Sequence, residues 1–101
     1  MEYKIYKTEV FVKLFDSLEL NEKKWIEKII TQLKNNSAAG KPLRFPWFRE
    51  KKFEGKRLYF LVYDDLKKIL LVSFGNKKDQ QKIIDAIVED LKSYRELAKK
   101  L

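Results

Sequence analysis

Residues 48–63 read FREKKFEGKRLYFLVY, and the alternation within this stretch decides the fold. Phe48 to Phe53 and Lys56 to Tyr63 follow the two-residue period of strands. Glu54-Gly55 between them suits a two-residue hairpin turn, because glycine accepts a positive φ. Such a turn sets Phe53 opposite Lys56 and Lys52 opposite Arg57. Parity then divides the second strand. Leu58, Phe60 and Val62 are expected to pack beneath helices, while Arg57, Tyr59, Leu61 and Tyr63 share the other face. Like charges directly across a sheet repel, so Lys52 opposite Arg57 reads as a seat for a phosphate. The competing reading is that both long stems splay their charged heads into water at little cost.

Outward from the hairpin, Ile69 to Phe74 reads as a third strand after the polar connection Asp64 to Lys68. Asn76 can cap a final helix whose stripe is Ile83, Ile84, Ile87, Val88, Leu91, Tyr94, Ala98 and Leu101. Upstream, the segment from Lys4 to Thr8 alternates like a short strand, and Thr8 can cap a helix carrying Val10, Phe11, Leu14, Phe15 and Leu18. Asn21 is the expected cap of a second helix with the stripe Trp25, Ile26, Ile29, Ile30 and Leu33, stapled by Leu20 against Trp25. Asn35-Asn36-Ser37 and Gly40 end it. The order β-α-α-β-β-β-α predicts an α+β fold: a small antiparallel sheet with the helices packed on one face.

A chain of 101 residues supports one core, so residues 1–101 are read as one domain. Apolar residues make up 45% of it, enough to offset the entropy of folding. No apolar run approaches the ~18 residues of a membrane span, and the N-terminus alternates where a secretory segment would be apolar, so the expected compartment is the cytoplasm. Cysteine and histidine are both absent. Disulfides, thiolate nucleophiles, Cys-based zinc sites and histidine acid–base chemistry are thereby excluded. Of the net charge of +8, residues 41–78 hold +7, with eleven Lys/Arg against four Asp/Glu. Such concentration is the footprint of a polyanion partner, with a solvated, solubilising hairpin as the plainer alternative. Trp47, Phe48, Tyr59 and Tyr63 lie close in sequence to these cations, and single-stranded RNA uses aromatic faces for stacking beside cations for its phosphates. Parity makes Tyr59 a better candidate than Phe60. Lys77 and Lys78 oppose the dipole of the helix they precede, a placement that a bound phosphate would make favourable.

The element order, together with Gly40-Lys41-Pro42-Leu43, Gly55-Lys56-Arg57-Leu58-Tyr59, and Phe74-Gly75 followed by Lys77-Lys78, resembles the RelE/ParE/HigB toxins of type II toxin-antitoxin systems. The resemblance spans nearly the whole chain, and the lysine pair before the last helix is closest to the HigB branch. It implies an mRNA interferase: a metal- and cofactor-free endoribonuclease that uses the RNA 2′-hydroxyl as nucleophile, free or on the ribosome. It also implies a cognate acidic antitoxin that folds on binding and masks Arg57 and Lys77. The residues it implies for catalysis are Arg57, Lys77 and Lys52; those for RNA binding are Arg49, Lys51, Lys56, Tyr59 and Lys78. The family's C-terminal tyrosine falls at Ile83, and HigB-type histidines are missing. Two other readings stay open: a ParE-like inhibitor that binds a DNA topoisomerase, and a non-catalytic RNA- or ribosome-binding protein. Arg57 and Lys77 are read as the functional pair, phosphate ligands or transition-state stabilisers, so that replacing either by alanine is expected to abolish toxicity with the melting temperature nearly unchanged.

Overall fold

The computed structural model describes residues 2–101, leaving Met1 outside. Strand β1 (Lys4–Lys7) leads to Thr8, whose hydroxyl accepts the Phe11 N–H at 3.2 Å and caps helix α1 (Glu9–Asp16) as expected. Helix α2 (Leu20–Asn35) starts two residues earlier than predicted, its cap lying before Asn21. Glu19 is the N-cap, in a reciprocal box with Glu22, whose carboxylate accepts the Glu19 N–H at 3.0 Å. Leu20 is the first helical residue and stands exposed, while Trp25 stacks on Phe53 at 4.8 Å between ring centres.

After α2 come β2 (Lys41–Pro42), β3 (Phe48–Phe53), β4 (Lys56–Tyr63) and β5 (Lys68–Asn76). The two-residue strand β2 is too short to show any period in the sequence. The hairpin has the expected register, with Lys52 opposite Arg57 and Phe53 opposite Lys56. Its left-handed residue, however, is Glu54, at φ 55°. The Arg57 guanidinium donates to the carbonyls of Lys56 at 3.1 Å and Glu54 at 3.5 Å, which holds this turn.

The α+β class stands, but two of its details change. The sheet has five strands in the order β1-β5-β4-β3-β2 and is mixed, because β1 runs parallel to β5. The helices cover both faces. Helices α1 and α2 pack on Leu58, Phe60, Val62, Ile69, Leu71 and Phe74. The last helical segment packs on Phe48, Tyr59, Leu61, Tyr63, Leu70 and Val72. The reason lies in β4 itself: from Leu58 to Tyr63 it is apolar at both parities, the signature of a strand buried on both sides. A bulge between Tyr59/Phe60 and the facing Leu71 to Ser73 lets Phe74 join the α2 side while Gly75 stays on the other.

The final helix is also divided. A 3-10 turn (Lys77–Asp79) precedes α3 (Gln80–Glu89), and Asp90 separates it from α4 (Leu91–Lys100). Glu89 and Asp90 place negative charge at the C-terminal end of α3, where the macrodipole opposes it. Among the described residues no helix is long and apolar enough to cross a membrane.

Candidate nucleic-acid interface

The eight candidate residues fall into two groups on opposite faces. Lys52, Arg57 and Tyr59 lie on the α3 side of the sheet, with Lys77 and Lys78 at its rim. Arg49, Lys51 and Lys56 have the opposite parity, toward α2. The backbone joins the hairpin turn to the 3-10 turn directly, since the Lys77 N–H donates to the Gly55 carbonyl at 2.8 Å. Lys52, Arg57 and Gly75 form one cross-strand row. Its width is about two strand spacings, or ~10 Å.

Arg57 does not stand free in this row. It is 5% exposed, and its Nε lies 3.9 Å from a carboxylate oxygen of Glu50, itself 4% exposed. The other Glu50 oxygen accepts from the Gln80 side-chain amide at 2.7 Å, at the start of α3. The Lys52–Arg57 repulsion expected across the strands is therefore offset by a third, acidic residue on the same face. Sequence reasoning does not single out Glu50 or Gln80, although the parity of Glu50, two residues before Lys52, places it on the Arg57 face.

Tyr59 requires a correction. As a stacking platform it would have to be open, but it is fully buried, because α3 and α4 cover the face to which parity assigns it. Burial pushes its phenol up to about 12, reinforced by Glu50 and opposed by Arg57. The same burial holds Tyr63 at about 12. Neither hydroxyl has a hydrogen-bond partner. Ile83, at the family tyrosine position, is half-buried and its side chain lies over Gly75.

On the α2 side, two of the three predicted binders are engaged in the fold. Arg49 donates to the carbonyls of Ala38 and Gly40, both at 3.3 Å, and so ties the α2–β2 connection to β3. Lys56 pairs with the buried Glu22, whose carboxyl that hydrogen bond holds below its usual range. Lys51 and Lys52, by contrast, line an open hollow of about 450 Å³ with Gly40, Lys41 and Glu50. Lys41, Lys51, Lys52, Lys77 and Lys78 make no salt bridge among the described residues. The surface these cations form can hold phosphates and stabilise charge developing on them. No group of three His, Cys, Asp or Glu side chains among the described residues is arranged to hold a metal.

No family model and no curated protein sequence matches the chain. Its fold is nevertheless that of the RelE toxins. A mutant of the E. coli toxin RelE in the free state matches with a TM-score of 0.75, at 18% identity over 88% of this chain and 98% of that one. A mutant of the same toxin in complex with an antitoxin RelBc peptide matches at 0.69, with 20% identity over 85% and 95%. An archaeal RelE-RelB complex from Pyrococcus horikoshii matches at 0.65, with 14% identity over 76% and 97%. At these identities the likeness is one of fold.

Proposed function

We propose that this chain is the toxin of a type II toxin-antitoxin pair and that it acts on RNA through the lysine-rich edge formed by β2, β3 and the turn before α3. The observation that carries the reading is the set of lysines left without acidic partners there, on a fold shared with toxins whose structures include antitoxin complexes. Lys41, Lys52, Lys77 and Lys78 neutralise the RNA backbone; Lys52 lies in the row that holds Arg57, and the Lys77 backbone is joined to the hairpin turn at Gly55. Arg57 contributes as a positioning residue: it braces the hairpin turn and, with Glu50 and Gln80, fixes β3 against α3. Cleavage by the RNA 2′-hydroxyl would draw on lysine electrostatics, a contribution worth ~3 kcal/mol per donor in comparable oxyanion sites.

A second reading rests on a specific observation. Proton transfer has no evident agent at this edge: the chain has no histidine, Tyr59 and Tyr63 are buried, and Ile83 stands at the tyrosine position. That favours inhibition by binding, of RNA or of a DNA topoisomerase, over cleavage. Expression in cells, with growth, RNA integrity and plasmid supercoiling followed together, separates the two. Growth arrest with fragmented mRNA, abolished in a Lys52→Ala/Lys77→Ala double variant of unchanged melting temperature, supports the interferase. Arrest with intact RNA and altered supercoiling supports topoisomerase inhibition. Harmless high-level expression defeats the toxin reading.

A further inference from the structure

The far end of β4 carries two adjacent aspartates, Asp64 and Asp65, opposite in sign to the lysines at the hairpin end. Between Trp47, the β4–β5 turn and α4 lies a cleft of about 510 Å³, lined by Trp47, Tyr63, Asp64, Asp65, Leu91 and Arg95. Its volume falls within the range of roughly 300–1,000 Å³ typical of ligand clefts. Its two aspartates and one arginine give it a net negative lining on a chain of net charge +8. Six residues of strand separate Tyr63 from Arg57, or ~20 Å, so this cleft is no extension of the lysine edge.

The chain itself shows what the cleft accepts. The Arg95 guanidinium carbon sits 5.2 Å from the centre of the Tyr63 ring, and both its terminal nitrogens donate to Asp65, one of them at 3.0 Å. That is a cation over an aromatic face with a carboxylate fork at its edge, the pairing to which a planar guanidinium is best suited. A second couple, Trp47 with Asp64, stands beside it, and the cation that lines its far side, Arg49, is turned to the Ala38 and Gly40 carbonyls. Trp47 is stacked against Phe45 at 4.9 Å and lies 6.3 Å from Tyr63. Asp64 is exposed, accepts the Tyr3 hydroxyl at 2.5 Å, and makes no salt bridge among the described residues. The Tyr63 hydroxyl, in the same wall, is buried and unpartnered.

We propose that this cleft receives an arginine side chain presented by a partner polypeptide, its guanidinium packed against the Trp47 indole and hydrogen-bonded to Asp64. Charge complementarity selects the occupant, since Asp64, unlike the Arg95-paired Asp65, carries an uncompensated charge that repels an RNA phosphate. Phe45, 37% exposed, continues the aromatic wall outward and offers apolar contact to the residues flanking the arginine, which a free small cation does not have.

The test titrates the full, isotope-labelled chain with a short Leu-Arg-Leu peptide blocked at both ends, followed by amide and indole NMR. Saturable shifts centred on the Trp47 indole and on Asp64 and Asp65 are expected. Binding should weaken at least tenfold when citrulline replaces arginine. Asp64→Asn, which keeps an acceptor for Tyr3, should weaken it at least fivefold, and Trp47→Ala should do the same without disturbing amides on the α2 face. Equal affinity for the citrulline peptide, an oligonucleotide that shifts the Trp47 indole instead, or no saturable shift would each overturn the proposal. Arginine amide binding as tightly as the peptide would overturn the assignment to a polypeptide partner.

Discussion

At Arg57 two demands meet. The guanidinium belongs to the basic strand that draws a polyanion, yet it is buried, braces the hairpin turn through two carbonyls and faces the buried Glu50 carboxylate. Removing it strands that carboxylate, and breaking one side of a buried pair costs about 3 kcal/mol or more. Arg57→Ala should therefore lower the melting temperature by about 12 °C or more in a thermal denaturation, contrary to the expectation that it is removable at no cost. Lys77→Ala, on an exposed turn, should stay within about 0.5 kcal/mol of the parent. An Arg57→Ala variant that melts like the parent would show that the Glu50 pairing does not hold the fold. Tyr59 and Tyr63 give a pH dependence of definite sign. Burial raises both phenols to about 12 from 10, so the folded state favours the neutral form. Their contribution to stability is complete below pH 10 and is lost as pH rises from 10 to about 12. Alkaline titration should show phenolate absorbance for these two rings appearing together with loss of the folded circular-dichroism signal.

Among the elements, α2 and the connection after it do most to hold β3 where the lysines need it. Trp25 stacks on Phe53, Glu22 anchors Lys56, and Arg49 ties the Ala38 and Gly40 carbonyls to the strand. Gly40 closes that connection at φ 90°, where a Cβ would lie 2.8 Å from the Glu50 carbonyl oxygen and 2.9 Å from the Phe60 ring. Gly40→Ala combines backbone strain with a clash against backbone and a buried ring, and should cost about 1–3 kcal/mol. Chemical denaturation measures it directly: the midpoint should fall with the slope unchanged, since surface exposed on unfolding is the same. An unshifted midpoint would mean that the connection relaxes freely and does not position β2 and β3.

Across the whole molecule, charge is sorted by region, with the lysine edge at the hairpin end of β4 and the aspartate-lined cleft at the other. If about five phosphates are neutralised at that edge, single-strand affinity should fall with a log–log salt slope near −3.5. Fluorescence anisotropy with a labelled oligoribonucleotide across a salt series reads this slope. A flat response would remove polyanion binding as the reason for the charge. Helices cover both faces of the sheet, so the free cations lie along its edge and on the turn before α3. The exposed large apolar residues are Val10, Val12, Leu20, Phe45, Leu97 and Leu101, and Phe45 is stacked on Trp47.

What the sequence determined by itself was local: strand period, hairpin register, the Thr8 cap, and the grouping of cations between residues 41 and 78. These depend on neighbours a few positions apart, which is why the length of the turn alone sets Lys52 opposite Arg57. The two-sided burial of β4 is also legible in its run of Leu58 to Tyr63, which is at odds with helices on one face only. Only the tertiary structure decided which of those cations remain free. Whether Arg57 meets an anion from outside or Glu50 from within depends on how β3, β4 and the start of α3 converge. Whether Tyr59 stacks on a base or sits beneath helices depends on which face α3 and α4 cover. Parallel pairing of β1 with β5 brings together residues 64 positions apart, a contact that no local period encodes.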